Sequence, residues 1–369
     1  MNNEIQVTAY QLNQLEELFD AESAKNWNPL PINELRLASY LNNPRAEPTD
    51  EVFFTATVGG QMVSFRIVIP DLLFFENKVI RFAWNSGSWT HPDWRRKGIS
   101  SKILKVVFEA WENRLAVTNT AQVSKKLFAR MGTYLVFREL EGYKFFLHSD
   151  LVTLFKKRYP KGKWLWNLWK PIDLVLNIFN KKPKKINTLD FRKTDQLDEE
   201  STKFFDTIFN NKNGFLRDRA SLNWIINYPW ISEHSEFEEI QKKYQFTLHV
   251  KKTELKTFWI FKNDEKVGLI MLFLKNTQVT VPYLFLKTKS PNELKAISKF
   301  IYNQSTAWGG ETVLIAEPTL ANAYKKTQLF KYTWKRNQEY FISKGLSESL
   351  NLSTPFQIFD GDGDHVFSN

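Results

Sequence analysis

Two apolar runs rich in aromatic and β-branched residues, Val52 to Val58 and Gln61 to Ile69, flank the dipeptide Gly59-Gly60. That spacing predicts a β-hairpin. Val79 to Trp84 predicts a third strand. The period then lengthens. Ile103, Leu104, Val107, Phe108 and Trp111 fall on one face of a helix expected over Ser100 to Glu112. Leu115 to Thr118 reads as a short strand and Val123 to Met131 as a helix closed by Gly132. Tyr134 to Arg138 and Tyr143 to Leu147 read as two strands about a turn at Glu141-Gly142. Upstream, Thr8 and Gln11 form a candidate capping box ahead of Leu12, Leu15, Leu18 and Phe19 at helical spacing, and a short helix is expected over Leu35 to Leu41.

The second half repeats this order. Helical patterns cover Asp198 to Phe209 and Ala220 to Asn227. A hairpin turns at Asn263-Asp264-Glu265, and Thr280 to Leu286 is its third strand. Ser290-Pro291-Asn292-Glu293 combines an N-cap, a first-position proline and a third-position glutamate, a strong helix start. A strand at Thr312 to Ala316, a helix at Leu320 to Leu329 and a closing hairpin of Lys331 to Lys335 with Glu339 to Ser343 complete the series. The pattern predicts an α/β (α+β) fold of two tandem mixed-sheet units, residues 1–150 and 189–369, joined by a linker over 151–188. A last short strand is expected at Val366-Phe367.

Composition adds boundaries. Hydrophobic residues are 43%, charged residues 25% and aromatics 15%, the balance of a globular protein with large cores. With no cysteine there are no disulfides, no thiolate catalysis and no cysteine metal sites. No apolar run approaches the ~20 residues of a bilayer-spanning helix. Met1 to Glu4 lacks a secretion signal, so a cytoplasmic protein is expected. The net charge of +11 is uneven. Residues 151–189 hold ten Lys and Arg against Asp173 alone, or +9. In that linker Trp164, Trp166 and Trp169 stand among Ile172, Leu174, Val175 and Leu176. Two readings stay open: packing at a domain junction, or peripheral contact with an anionic membrane. No motif points to nucleic acid.

The stretch from Trp89 to Ile103 carries the candidate chemistry. Arg95-Arg96-Lys97-Gly98-Ile99-Ser100 sits between a strand and an amphipathic helix. Gly98 permits a positive φ, and the helix N-terminus supplies free N–H donors, so the turn can cradle a pyrophosphate. A basic turn of this kind also occurs with nothing bound. The five histidines are far apart, and the Asp360 to Asp364 run lacks the glutamate that completes a calcium loop, so no metal is expected.

These residues resemble the coenzyme A-binding motif of the GNAT N-acetyltransferase superfamily, R/Q-x-x-G-x-G/A. Arg95 and Gly98 match it, Ser100 replaces the last small residue, and His91-Pro92-Asp93-Trp94 resembles the family's lead-in. Asn119 with Ser124 to Gly132 resembles its Asn…Leu-Tyr-x-x-x-Gly helix. Arg217 to Trp224 is similar to a helix in tandem-GNAT bacterial proteins of polysaccharide clusters. The resemblance implies acetyl-coenzyme A, or another acyl-coenzyme A, as co-substrate, held by Arg95, Arg96, Lys97, Gly98, Ile99, Ser100 and Asn119. It also implies an amine acceptor, an amino sugar by analogy. Phe128 stands where the family places an acidic Tyr, and Val79 to Trp84 lacks a carboxylate base. His91 and Tyr134 are the catalytic candidates that remain, with Asp93 and Tyr143 behind them. The alternative is a non-catalytic scaffold at a membrane surface. In the second unit Lys287 to Pro291 replaces the loop, so no coenzyme A site is expected there.

Overall fold

A computed structural model of the chain describes residues 4–21, 24, 26–118, 121–152, 155, 163–178, 188–209 and 212–368, with the side chains of 163–168, 178, 365 and 368 excepted. The fold is mixed α/β. The sequence reading draws consecutive domains; the compact units of the folded chain interleave. Unit one is Met1–Glu139, Thr194–Leu255 and Gln338–Asn369, and unit two is Leu140–Lys193 and Lys256–Asn337.

In unit one, β1 (Gln6–Gln11) pairs antiparallel with β2 (Glu51–Val58), and β2 with β3 (Gln61–Phe75). Gly59 and Gly60 take φ of 57° and 81°, as a two-residue hairpin turn with both central residues left-handed requires. β3 continues through Glu76-Asn77, again at positive φ, into β4 (Lys78–Thr90). β5 (Leu115–Thr118) follows β4 in parallel, and residues 340–342 of β15 (Tyr332–Ser343) lie antiparallel to β5. The central helix, Ile99–Ala110, joins β4 to β5 and buries Ile103, Leu104, Val107 and Phe108 against β1 to β3. The helix Gln122–Met131 ends at Gly132, left-handed at φ 60°.

Unit two repeats the plan. β11 (Thr253–Lys262), β12 (Glu265–Lys275) and β13 (Gln278–Leu286) are successive neighbours, and β13 runs parallel to β14 (Thr312–Ile315). The helix Pro291–Ala307 crosses between them. Its apolar face joins an almost wholly apolar core that includes Ile260, Ile270, Leu272, Ile297, Ile301 and Val313.

Four local expectations are corrected. Thr8 lies inside β1, opposite Thr55, and the cap moves to Gln11, whose amide donates to Gln14 Oε1 at 2.8 Å ahead of the helix Leu15–Asp20. The expected turn at Glu141-Gly142 is absent: β6 (Tyr134–Phe146) is one strand. Gly142 is needed there for close approach, since a Cβ would lie 2.7 Å from the Cα of Ala316 on the neighbouring chain segment. The closing hairpin of the second half is likewise a single strand, β15. Both strands belong to one unit at their start and the other at their end, so each is longer than a unit of its own would need. Finally, Val366 and Phe367 sit in a short helical turn, His365–Ser368, with both side chains buried.

Candidate active site

Between β4 and the central helix the chain turns twice. The His91 amide donates to the Val63 carbonyl at 2.8 Å, and His91 Nδ1 accepts from the Asp93 amide at 3.3 Å, capping the single turn Pro92–Trp94. Arg95 Nε donates to the Thr90 carbonyl at 3.2 Å, and Lys97 Nζ lies 4.3 Å from the Trp94 ring centroid. The loop is thereby braced by its own residues while Arg95, Arg96 and Lys97 stay exposed. Arg96 and Gly98 both have positive φ, at 64° and 79°.

Gly98 is the residue before the first helical turn. A Cβ added to it would meet nothing within 4 Å. Its glycine is therefore required by conformation, and the space over the turn is open. No side chain caps the helix. The amides of Ile99, Ser100 and Ser101 begin it and have no intrahelical acceptor. Together with the partial positive charge of the helix end they form an anion-binding cradle.

Beneath the cradle lies a residue that the sequence reading missed. Arg66, on β3, is 3% exposed, and its Nη2 donates to Ser100 Oγ at 3.3 Å. Among the described residues no carboxylate pairs with it. Burial pulls its pKa down to about 10, and Tyr134 opposes that shift. A buried guanidinium without a counter-ion is costly, and an anion bound at the helix end would offset that cost. The signal was present as a lone charge inside the run Met62 to Ile69.

Tyr134 is the second polar group on this face. Its hydroxyl is buried near Arg66 and Asn85 without a well-formed hydrogen bond to either. Burial pushes its pKa well above the ordinary value, so it stays protonated at neutral pH. The ring rests on Phe128, with centroids 4.4 Å apart. His91 is at the rim of the loop and does not meet Tyr134 in any described contact. Asn119 lies outside the described residues.

The third feature is a split in the sheet. β4 and β5 register only at Ala83↔Leu115 and Trp84↔Ala116. Beyond Trp84, β4 runs on with β3 alone, and β5 ends along β15. The register of β3 and β4 slips at this point, from Ile67↔Gly87 to Val68↔Asn85, which leaves Ser86 as a bulge. A bulge bends its strand and re-aims a side chain. Asn85 thus lies on the face of the central helix with Arg66, while Ser86 lies on the other face with Trp84 and Thr118. The sequence reading ended this strand at Trp84 and so missed Asn85 and Ser86.

In unit two the helix Pro291–Ala307 starts closed. Ser290 Oγ accepts from the Glu293 amide at 3.3 Å, and Glu293 accepts from Lys262 and Thr288. Within the linker, the helix Lys163–Ile178 is held by Asp173, which accepts from Ser149 Oγ at 2.6 Å and the Leu151 amide at 2.9 Å. It leaves Ile172, Leu174, Val175 and Leu176 exposed. Residues 156–162 and 179–187, with most of the basic charge, and the side chains of Trp164 and Trp166 lie outside the described residues. No described helix is long and apolar enough to cross a membrane, and no group of three His, Asp or Glu among the described residues suits a metal ion.

No family model matches the sequence, and no curated protein matches it. Solved structures do share its fold over nearly its whole length. Saccharomyces cerevisiae N-myristoyltransferase with bound myristoyl-CoA superposes with a TM-score of 0.54 and 11% identity, over 93% of this chain and 79% of that one. A conserved protein of unknown function from Enterococcus faecalis V583, described as a probable N-acyltransferase, gives 0.52 and 12%, over 92% and 72%. A GCN5-related N-acetyltransferase from Anabaena variabilis ATCC 29413 gives 0.51 and 9%, over 93% and 73%. At such identities the likeness establishes a GNAT fold.

Proposed function

We propose that unit one binds an acyl-coenzyme A at Arg95, Arg96, Lys97, Gly98, Ile99 and Ser100, with Asn119 on the cofactor arm, and transfers its acyl group to an amine. The observation that carries this reading is the uncapped start of the central helix, open above Gly98 and backed by the unpaired charge of Arg66. A diphosphate would accept the free amides and neutralise the buried guanidinium together. Tyr134, buried and protonated, is placed in this reading as proton donor to the departing thiolate. His91 braces the loop at its rim. Acetyl is the acyl group and an amino sugar of a surface polysaccharide the acceptor; that choice rests on the sequence resemblance alone.

Calorimetry with acetyl-coenzyme A tests the assignment. Binding should weaken about 100-fold in Gly98→Asp and at least as much in the double variant Arg95→Glu/Arg96→Glu, each still folded by circular dichroism. Unchanged affinity in both would discard the site.

One competing reading has observations behind it: a binding protein at a membrane surface. It draws on Phe128 in place of the expected tyrosine and on the exposed Ile172, Leu174, Val175 and Leu176. Thiol release with a panel of amino sugars separates enzyme from scaffold. Flotation with anionic liposomes at low salt tests the surface contact, and a protein that stays at the bottom of the gradient removes it.

A further inference from the structure

The sheet split has two faces, and the carboxylate on the far one comes from the end of the chain. Ser86 Oγ donates to Asp364 Oδ2 at 2.8 Å, and Thr118 Oγ1 donates to Asp364 Oδ1 at 3.3 Å. One donor stands on β4 and the other on β5, so the carboxylate spans the opening where the strands part. Gly363 lies on the Trp84 ring, close enough that a Cβ would sit 3.1 Å from it and 3.5 Å from Thr118 Cγ2. The tail is anchored two residues earlier. Asp362, fully buried, accepts from Arg217 Nε and the Phe359 amide, each at 2.7 Å, and Arg217 also grips Asp71.

Asp364 is not sealed in by this anchoring. It is half-buried, where Asp362 has no exposure at all. Among the described residues, the groups facing it include Arg36 and Tyr40 from the helix Glu34–Leu41 and Ser86 and Thr118 from the sheet. Arg36 Nη2 donates to the same Ser86 hydroxyl at 2.6 Å, and its guanidinium is boxed by the rings of Tyr40, Trp230 and Phe246. The anion cradle and Arg66 occupy the opposite, helix-covered face.

We infer that Asp364 is the base that takes the proton of the acceptor amine. The inference rests on the acyl-transfer reading above. A thioester lying in the split would be approached by the amine from the face without the helix, where Asp364 is the carboxylate bonded to both strands. The acceptor arrives as an ammonium and gives one proton to Asp364. The freed lone pair forms the C–N bond to the thioester carbonyl carbon. The C–S bond breaks with its pair on sulfur, Tyr134 gives its proton to that sulfur, and the second amine proton restores the Tyr134 hydroxyl. Amide and free thiol leave, and Asp364 returns its proton to solvent.

The test uses the full chain with acetyl-coenzyme A, methylamine and glucosamine as probe amines, and thiol release as readout. Asp364→Asn keeps the shape and loses the base. It should slow thiol release about 100-fold or more at neutral pH, the range for a lost general base. Its rate should recover as pH rises and free amine replaces ammonium, and its acetyl-coenzyme A affinity should match the wild type. Equal rates in variant and wild type across the pH range, with cofactor binding intact, would overturn the inference and leave the cofactor site standing. A wild type that fails to bind acetyl-coenzyme A would remove both. Should Asp364→Asn lose cofactor affinity through misfolding, Thr118→Val decides. It keeps the carboxylate and removes one donor to it, so the acid limb of the pH–rate profile should move to higher pH. An unmoved limb there counts against the base.

Discussion

The two units build the same strand–helix–strand crossover and finish it in opposite ways. In unit one the crossover helix begins at a left-handed glycine with no cap, and in unit two it begins with the Ser290–Glu293 capping box. Past the last registered pairs, the diverging strands of unit one carry Asn85, Ser86, Val117 and Thr118, whereas those of unit two carry Val281, Pro282, Ile315 and Ala316. Buried charge follows the same division. Unit one encloses Arg36, Arg66, Asp71, Arg217 and Asp362, while the buried carboxylates of unit two, Asp173 and Glu293, each hold a helix through its hydrogen bonds. Unit two closes the start of its crossover helix with its own side chains, and unit one leaves the corresponding helix amides open. A fold that offers an anion site must leave hydrogen bonds unmade, and that costs stability which an optimised cap would supply.

The largest effect is expected where buried charge holds unit one together. Arg217→Ala strands the carboxylates of Asp71 and Asp362 and should lower stability by about 3–5 kcal/mol in urea unfolding. The same cluster sets a pH dependence. Burial pushes Asp362 up to about 6, above its unfolded value, so the folded state holds the proton more tightly. Its contribution is fully present below about pH 4 and is lost as pH rises to about 6. Unfolding of Asp362→Asn across that window should lack this decline; the same slope in the variant would place it elsewhere.

Next in size, Gly98→Asp should weaken acetyl-coenzyme A binding about 100-fold, or about 2.7 kcal/mol. The ligand-induced rise in Tm seen for the wild type should vanish with it. Arg66→Met sharpens the contrast further. Affinity should fall about tenfold, while the ligand-free protein should be as stable as the wild type or more so, because an unpaired buried charge has gone. A ligand-free loss of several kcal/mol would mean that Arg66 is a structural residue. The smallest effect is that of Ser290→Ala. It should cost about 1 kcal/mol of stability with no change in cofactor affinity. Any loss of affinity would show that unit two contributes to the site.

The legibility of these features divides along the same line. Gly59-Gly60, Gly98, Gly132 and the Ser290 box were readable because each solves a local problem: a positive φ or an orphaned helix amide settled within four residues. Arg66 was visible as a charge in an apolar strand, yet its meaning depends on Ser100 and Tyr134, which are remote in the chain. β4 was cut short at Trp84 because its pattern changes there, and it changes because the strand parts from β5. Gly142 looked like a turn because a glycine needed for close approach carries the same letter as one needed for a bend. The run Asp360 to Asp364 reads as an incomplete calcium loop, and nothing near it in sequence announces Arg217, Ser86 or Thr118.

The sequence by itself determined the mixed α/β plan, its repetition, the two helix starts and the turn that bears Gly98, since these rest on dihedral preference and periodicity within a few residues. Only the tertiary structure decided that the strands part beyond Trp84, that Arg66 is enclosed with no carboxylate paired to it among the described residues, and that Asp364 bridges the opening. Burial and charge pairing are properties of residues brought together from distant parts of the chain, and no local pattern encodes which partner will arrive.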